Sequence, residues 1–391
     1  MKASPRPNEM KHLALAQVRM RLALESARRG SGKTFPNPSV GAVVWKGSEI
    51  LGRGVTRPPG GPHAEVVALA AATRRHGARR LRGASMGVTL EPCCFQGRTG
   101  PCTRAIIEAG IRRVYVGCRD PHARVSGRGI AKLRRAGVEV YVGVAETACR
   151  EHHRGFFSVC ERDRPFVTLK LGTSLDSRIA TGAGESRWIT GPEARALVHR
   201  MRGRTDAVMV GSGTALADDP ALTARRGERV VGRPVRVLVD SRLRVPVGAR
   251  IYDFAEGART MVLTRKSARG RGVRESRGAE LFDLPGPPGA LDLVAGMRAL
   301  AGAGLTSVLV EGGGGLAAAL VREDLVDEIH WMMAPRLIGG DGLPALGDLR
   351  LGELERAPRL DWVHVGRLGA DIHIRARRRP EYGEENGEND Q

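Results

Sequence analysis

Four side chains of the kinds that activate water lie in the first third of the sequence. His63 and Glu65 flank Ala64, and Cys93 and Cys102 follow further along the chain. One imidazole and two thiolates suffice to hold a zinc ion, and three protein ligands leave the fourth tetrahedral position open for catalysis. Zinc lowers the pKa of a water molecule to about 7, and a nearby carboxylate then moves protons between that water and a departing amine. We therefore predict that His63, Cys93 and Cys102 bind zinc and that Glu65 is the catalytic proton carrier.

The segments around these residues favour a shared site over the alternative of buried cysteines and a surface histidine that never meet. A proline- and glycine-rich stretch precedes an apolar helical segment at 64–72, which begins beside the histidine. Cys93 follows the β-like residues 87–90, and Cys102 opens a second helical segment at 102–109. The partial positive charge at the N-termini of these two helices favours thiolates. Convergence of the two helix starts at one point is therefore consistent with a zinc site.

The composition raises nucleic-acid binding as a rival function, but the pattern argues against it. The 391 residues carry a net charge of +21, and 63 basic residues minus 7 lysines leave 56 arginines. These residues are scattered along the chain, aromatic residues make up only 4%, and no basic stripe interleaved with aromatics is present. We interpret the charge as a solvated basic surface that attracts phosphorylated substrates, and we expect no nucleic-acid partner.

The cysteine usage and the hydropathy indicate a cytoplasmic protein. No apolar run reaches membrane-spanning length, and the first ten residues lack the apolar core of a secretory signal. We therefore expect no membrane partner and a reducing compartment, in which the cysteines not assigned to zinc are free thiols. These are Cys94, Cys118, Cys149 and Cys160.

Alternating strand-like and helix-like segments divide the chain into two α/β domains. Residues 40–143 alternate around a single sheet, and a charged junction that ends in proline separates them from a second alternating region. The predicted boundaries are an N-terminal extension at 1–19, a first domain at 20–160, a second domain at 165–376 and an acidic, disordered tail at 377–391.

A run of four glycines follows a strand-like segment of the second half. Residues 308–310 lead into Glu311 and then into the glycines at 312–315, after which a helical segment begins. Exposed backbone amides at a helix N-terminus bind phosphate, and glycine lets the anion approach closely. The run is not Gly-x-Gly-x-x-Gly and comes late in the domain, which argues against a simple dinucleotide-binding fold. Taken alone, it is also consistent with an ordinary loop.

Several longer motifs, spread over residues 20–376, resemble the bifunctional pyrimidine deaminase–reductases of riboflavin biosynthesis. In the first half they are P-N-P-S-V-G at 36–41, P-H-A-E-V at 62–66, T-L-E-P-C at 89–93 and G-R-T-G-P-C at 97–102. In the second half they are L-K-L-G-T-S-L-D at 169–176, G-E-S-R-W-I-T at 184–190, L-A-D-D-P-A-L-T at 216–223 and V-E-G-G at 310–313. The resemblance accounts for the long spacing between the two predicted zinc cysteines.

The resemblance implies a fold class and two consecutive reactions. The fold is α/β, with an N-terminal cytidine-deaminase-like three-layer domain and a C-terminal dihydrofolate-reductase-like domain. The first domain would bind one zinc ion and remove the 2-amino group of a diamino-hydroxy-pyrimidine that carries a phosphoribosylamino arm. The second would use NADPH to reduce the ribosyl arm to ribityl. The implied partner is a small phosphorylated pyrimidine, and the family usually assembles into homo-oligomers through the reductase domain.

The family pattern also assigns binding residues. Asn37 would contact the pyrimidine, whereas for Glu91 a pyrimidine contact and a structural capping role both remain open. Cofactor contacts fall at Gly172, Trp188, Thr214, Asp218, Ser241, Gly313, Gly314 and Gly315. Substrate contacts in the second half fall at Ser186, Arg202, Leu222, Arg225 and Glu311. The planar guanidinium groups of the two arginines suit a phosphate.

The first half departs from the family pattern at three places. Thr56 stands where the family usually has histidine, Cys94-Phe95 where it has Ser-His, and His122 where it has asparagine. These positions line the deaminase pocket in the family, so the identity of the first substrate is open although the zinc ligands are retained. Two alternatives therefore stand beside the bifunctional enzyme. One is a reductase whose deaminase half is altered or inactive. The other is an RNA or DNA base deaminase, against which the cysteine spacing and the whole second half argue.

Overall fold

The structure, a computed structural model, describes residues 7–97, 100–287 and 290–379. These residues form two compact units. The first comprises the described chain up to Phe166 together with Arg204–Asp206 and Arg298–Ser307, and the second comprises the rest. Most of the predicted tail at 377–391 lies outside the described residues.

The first unit is built on a five-stranded sheet with the strand order β2-β1-β3-β4-β5. The strand β1 pairs antiparallel with β2 and β3, whereas β3, β4 and β5 run parallel. Its elements are α1 (Pro7–Gly30), β1 (Gly41–Lys46), β2 (Glu49–Val55), α2 (Ala64–His76), α3 (Ala78–Leu81), β3 (Ser85–Leu90), α4 (Cys102–Glu108), β4 (Arg113–Cys118), α5 (Arg128–Arg135), β5 (Glu139–Val142), α6 (Glu146–His152) and α7 (Arg154–Arg162).

Helices cover both faces of this sheet, which confirms the predicted three-layer arrangement. Leu69 of α2, Ile106 of α4 and Leu133 of α5 lie in the core on one face. Met20 of α1 and Phe157 of α7 lie in the core on the other. The sheet is covered on both sides, so its central strands read as continuous apolar runs rather than as an alternating pattern.

The helix α1 crosses the boundary that the sequence predicts between residues 19 and 20. Its residue Ala16 is fully buried, as is Met20 one turn later. The side chain of Gly41, if it had one, would collide with the carbonyl oxygen of Ala23, so the absence of a Cβ lets α1 lie directly on β1. Residues assigned to the N-terminal extension therefore contribute to the core of the first unit.

The second unit is built on a nine-stranded sheet with the order β13-β12-β11-β8-β14-β6-β15-β18-β17. Its elements are β6 (Phe166–Thr173), β7 (Arg178–Ala180), α8 (Pro192–Arg202), β8 (Ala207–Gly211), α9 (Ser212–Asp218), β9 (Ala224–Arg226), β10 (Arg229–Gly232), β11 (Val235–Val239), β12 (Thr260–Thr264), α10 (Arg271–Ser276), β13 (Glu280–Asp283), α11 (Leu293–Gly302), β14 (Ser307–Val310), α12 (Gly314–Arg322), β15 (Glu328–Met333), β16 (Leu343–Pro344), β17 (Leu360–Leu368) and β18 (Asp371–Arg378).

Most strand pairs of this sheet are parallel, and the two pairs that involve β18 are antiparallel. The strand β8 pairs parallel with β11 and β14, and β6 pairs parallel with β15. The strands β17 and β18 form a hairpin that pairs antiparallel with β15, an extension that the sequence analysis did not anticipate. The two units together confirm the predicted α/β class. Within the described residues, no helix combines the length and apolarity needed to cross a membrane.

A buried hydrogen-bond chain fixes the strand that leads into the Cys93 loop. The hydroxyl oxygen of Thr89 lies 3.1 Å from the backbone nitrogen of Gly41 and 3.0 Å from Nε2 of His153. Burial lowers the pKa of His153 well below its usual range, so the ring is neutral. Because the Thr89 oxygen accepts the Gly41 N–H, its own proton is available to donate to the histidine. The chain ties β3, β1 and the α6–α7 turn together.

We predict that Thr89→Val lowers the free energy of unfolding by about 1–3 kcal/mol. Valine keeps the shape of threonine but leaves a buried N–H and a buried ring nitrogen without partners. Thr89→Ser keeps the hydroxyl and serves as the control, with a smaller loss. Urea unfolding at pH 7 measures both, and equal losses for the two variants would contradict the hydrogen-bond argument.

Candidate active sites

Three metal-binding side chains converge in the first unit. His63 directly precedes α2, Cys102 is the first residue of α4, and Cys93 lies in the loop after β3. The Nδ1 atom of His63 lies 3.6 Å from Sγ of Cys93 and 3.3 Å from Sγ of Cys102. All three donor atoms lie within 4.8 Å of one another. The structure thus brings together the three residues that the sequence analysis assigned to zinc.

The spacing of these donor atoms fits a tetrahedral zinc ion. Zinc–sulfur and zinc–nitrogen bonds of about 2.3 and 2.0 Å place tetrahedral ligands roughly 3.5–3.8 Å apart, close to the separations in this site. The backbone N–H of Cys102 also points at Sγ of Cys93, at 3.3 Å. The hydrogen bond from the Cys102 thiol, with that from His63, lowers the pKa of Cys93 to about 4 and thereby favours a thiolate ligand.

Glu65 lies in the first turn of α2 and is only 3% exposed. Burial, reinforced by the charge of Cys93, raises the pKa of Glu65 to about 7. A carboxyl group with a pKa near neutrality can both accept and give up a proton, which a general acid–base catalyst must do. The close approach of α2 to β2 depends on Gly54, because a Cβ there would collide with the carbonyl oxygen of Ala64.

Glu91 has a structural contact for each of its carboxylate oxygens. One oxygen accepts the backbone N–H of Gly127 at 2.9 Å and that of Asp120 at 3.3 Å, and the other accepts the N–H of Ile130 at 3.1 Å. The carboxylate therefore caps the N-terminus of α5 and ties the loop after β4 to the Cys93 loop. Of the two roles left open by the sequence, capping is the one that the hydrogen bonds support.

Asn37 lies half-buried in the loop that precedes β1. Hydrogen bonds of Ser39, two residues after Asn37, anchor this loop. The carbonyl oxygen of Ser39 lies 2.8 Å from Nε2 of His152, and the hydroxyl of Ser39 donates to the carbonyl oxygen of Ala27 at 2.6 Å. A pyrimidine contact by Asn37 remains a prediction.

The three departures from the family pattern have defined surroundings. The hydroxyl oxygen of Thr56 accepts the backbone N–H of Val40 at 3.1 Å, so this side chain supports the start of β1. Phe95 lies beneath the guanidinium group of Arg124, whose carbon is 4.5 Å from the ring centre. Nδ1 of His122 accepts the backbone N–H of Arg124 at 3.3 Å. Two of the three departures thus meet at Arg124.

The second unit contains a cavity of about 490 Å³. Of the thirteen residues predicted for the second half, eight line it: Gly172, Ser186, Trp188, Arg202, Asp218, Leu222, Arg225 and Glu311. These residues come from β6, the segment before α8, α8 itself, the end of α9 and the loop after it, β9, and the residue after β14. The structure therefore gathers predicted substrate and cofactor contacts around one space.

Arg202 is engaged with Glu311 rather than free for a phosphate. Its Nε and one terminal nitrogen lie 2.6 and 2.8 Å from the two carboxylate oxygens, and the remaining nitrogen donates to the carbonyl oxygen of Thr223 at 3.1 Å. Burial opposes ionisation of Glu311, but the Arg202 guanidinium outweighs it and lowers the pKa of that carboxyl. The carboxylate of Glu311 is therefore ionised at the cavity wall, and the Arg202 guanidinium balances its charge.

The other five predicted residues, Thr214, Ser241, Gly313, Gly314 and Gly315, follow the carboxyl ends of neighbouring parallel strands. The N–H of Gly313 donates to the hydroxyl of Thr214 at 2.9 Å, which ties the glycine loop to α9. At Gly315 a Cβ would meet nothing within 4 Å, so space is open at the first turn of α12. Free amides at a helix start and open space beside them fit a phosphate-bearing cofactor such as NADPH.

Lys170 is a cavity residue to which the sequence analysis assigned no role. It lies half-buried in β6, lines the cavity together with Glu311, and has its pKa lowered by desolvation. Its place in a mostly apolar strand, F-V-T-L-K-L, is the sequence feature that could have indicated a functional role. Lysine is almost never buried without a specific reason. Arg187, Arg195 and Arg250 also line the cavity.

Comparison with known proteins identifies relatives of the whole chain. A family model of the RibD C-terminal domain matches residues 165–374, and one of the cytidine and deoxycytidylate deaminase zinc-binding region matches residues 14–118. The riboflavin biosynthesis protein RibD of Aquifex aeolicus (strain VF5) is 39% identical over 355 residues, which cover 91% of this chain and 96% of the relative. That of Escherichia coli (strain K12) is 38% identical over 366 residues, which cover 90% and 96%.

Two solved structures share the fold over nearly the full length. One is Acinetobacter baumannii RibD, form 1, with a TM-score of 0.83 and 34% identity over 94% of this chain and 99% of the other. The second is a diaminohydroxyphosphoribosylaminopyrimidine deaminase/5-amino-6-(5-phosphoribosylamino)uracil reductase from Thermotoga maritima, with a TM-score of 0.82 and 35% identity over 94% and 99%.

We predict that the purified chain carries about one zinc ion and that Cys102→Ala abolishes this binding, because the remaining two ligands do not complete the site. Cys160→Ala, which changes a cysteine outside the triad, is the matched control and retains the metal. Elemental analysis after dialysis measures the zinc content. Full zinc retention by Cys102→Ala would contradict the assignment.

Proposed function

The chain belongs to the RibD family of riboflavin biosynthesis, whose members combine a deaminase with a reductase, and we propose that its two units act in turn on one phosphorylated pyrimidine. The first would deaminate diaminohydroxyphosphoribosylaminopyrimidine and release ammonia. The second would reduce the ribosyl arm of the resulting 5-amino-6-(5-phosphoribosylamino)uracil to ribityl with NADPH. The observation that best supports the first reaction is the buried Glu65 carboxyl, which lies in the first turn of α2, directly after His63.

The roles proposed for the first unit follow from its donor atoms. His63, Cys93 and Cys102 would hold zinc, which when bound lowers the pKa of a water molecule to about 7. Glu65 would accept the proton of that water at its carboxylate and pass it to the departing amine. The pKa of about 7 supports this role, since the same group must be ionised at the start and protonated before the amine leaves.

The roles proposed for the second unit follow from the charges of its cavity. NADPH, when bound, supplies the hydride, and the glycine loop at Gly313, with Thr214, would hold its phosphates. The Arg202–Glu311 pair would present a fixed carboxylate to hydroxyl groups of the ribosyl arm. Lys170 would donate a proton inside the cavity. Its lowered pKa makes the ammonium group a better acid than that of an exposed lysine.

A reductase with an altered or inactive deaminase half is the second candidate. The observation that favours it is the set of departures at Thr56, Phe95 and His122. These residues change the neighbourhood of the site but none of the groups that handle the proton or the metal. We therefore propose that the deamination is retained and that the departures alter how the substrate arm is held.

We also propose a homo-oligomer that assembles through the second unit. Trp362, Val365 and Ile372 of the β17–β18 hairpin are 71%, 59% and 43% exposed and lie on one face of it. The strand β17 is the edge of the sheet, and an exposed apolar edge is stabilised by pairing with another chain. A cytoplasmic location is supported by the six cysteines, none of which forms a disulfide in the structure.

The two reactions can be separated with Glu65→Gln. We expect the wild-type, zinc-loaded chain to release ammonia from the diaminopyrimidine and to oxidise NADPH. Glu65→Gln should lose ammonia release by a factor of about 10² or more, yet oxidise NADPH normally when the deaminated compound is supplied. NADPH oxidation without ammonia release by the wild type would instead support the second candidate.

The oligomer can be tested at the exposed hairpin. We expect Trp362→Glu to shift the sedimentation coefficient towards that of a monomer, because a charge at an apolar contact must be desolvated. Leu354→Glu is the matched control, since Leu354 is 83% exposed and lies outside the hairpin. A wild type that sediments as a monomer at all concentrations would rule out the proposed assembly.

A further inference from the structure

The loop that carries the zinc ligand Cys93 holds a second, unassigned feature. Phe95 follows the ligand by two residues, and the guanidinium carbon of Arg124 lies 4.5 Å from the centre of its ring. Cys94 lies between Cys93 and Phe95 in the sequence, and its Sγ atom is 3.9 Å from the carbonyl oxygen of Arg124. Backbone and side chain of Arg124 thus both lie against the ligand loop.

Among the described residues, no carboxylate pairs with the guanidinium group of Arg124. Some arginines of the first unit are paired with carboxylates, among them Arg104 with Glu108 at 2.7 Å and Arg112 with Glu139 at 2.9 Å. The backbone N–H of Arg124 donates to Nδ1 of His122, which restrains the backbone at this residue. The guanidinium group of Arg124 therefore lies over Phe95, while its charge is not neutralised by a described carboxylate.

Two carboxylates of the neighbouring loops have backbone partners. Both carboxylate oxygens of Glu91 accept backbone N–H groups, and Oδ1 of Asp120 accepts the N–H of His122 at 2.8 Å. These hydrogen bonds hold the carboxylates within the loop framework. They leave Arg124 as a cation beside the zinc ligand loop that is available to an anion from outside the protein.

Stacking on Phe95 also determines which part of Arg124 is available. An arginine that lies over an aromatic face covers one face of its guanidinium plane, while the N–H groups point outwards within that plane. This edge is the part that binds phosphate through two parallel hydrogen bonds. Phenylalanine is uncharged, so it orients the cation without repelling it.

We propose that Arg124, held in place by Phe95, binds the phosphate of the substrate arm during deamination and so selects phosphorylated substrates. This inference rests on the proposed deaminase function and adds to it the residue that recognises the arm. Arg124 is a binding residue and Phe95 is its positioning residue. The departure at Phe95 is then a change in how the arm is held and not a loss of the reaction.

The test compares two substrates on the full-length, zinc-loaded protein. We expect Arg124→Gln to raise the KM for ammonia release from the phosphorylated pyrimidine about tenfold, with kcat changed by less than about twofold, because a charge-assisted hydrogen bond is lost. With the same pyrimidine carrying an unphosphorylated ribosyl arm, the KM should not differ between variant and wild type. Phe95→Leu should give a smaller rise that is again confined to the phosphorylated substrate.

Two controls separate this effect from general charge and from loop damage. Arg128→Gln removes the same charge from the start of α5, outside the contact with Phe95, and should leave both KM values unchanged. Inorganic phosphate should inhibit the wild type competitively and should inhibit Arg124→Gln about tenfold more weakly.

The outcomes distinguish the inference from the function on which it rests. An unchanged KM in Arg124→Gln, or equal rises with both substrates, overturns the phosphate contact while leaving the deaminase intact. Equal effects of Arg124→Gln and Arg128→Gln overturn it as well, since they would reflect net charge alone. If the wild type releases no ammonia from either substrate, the deaminase function fails and the inference fails with it.

Discussion

Parallel strand pairing is the constraint on which both candidate sites depend. The carboxyl ends of neighbouring parallel strands meet at one edge of a sheet, so the loops that follow them are brought together. In the first unit, β3 leads to Cys93 and β4 leads to the loop of Arg124. In the second, β8 leads to Thr214 and β14 leads to the glycine loop. Residues far apart in sequence become neighbours because their strands share an edge.

Helix starts complete this arrangement in the first unit. His63 precedes α2 and Cys102 begins α4, so two helix N-termini contribute metal-binding atoms beside the strand edge. The helix dipole favours negative charge there, which suits thiolate ligands. The metal site and the deaminase fold are therefore consequences of the same packing.

Buried charges in both units serve to hold backbone segments in place. Glu91 accepts three backbone N–H groups and so joins the Cys93 loop to the loop after β4. Arg202 holds Glu311 through two short hydrogen bonds at the cavity of the second unit. A buried charge without such partners would lower the stability of the fold by several kcal/mol. These hydrogen bonds therefore fix the geometry of each carboxylate more tightly than an apolar contact would. Arg124 differs from these groups because it is exposed and, among the described residues, has no carboxylate partner.

The α/β class, most strands and helices, and the three residues that converge in the candidate metal site could be predicted from the sequence, because these depend on local composition and on spacing within short motifs. The sequence did not determine the β17–β18 hairpin, the burial of residues before 20, the role of Glu91 or the place of Lys170. Those features depend on partners 30 to 160 residues away, such as Glu91 with Ile130 and β15 with β6. Only tertiary packing decides which of many arginines lies over Phe95 and which is bound by Glu311, since all of them look alike in a sequence so rich in that residue.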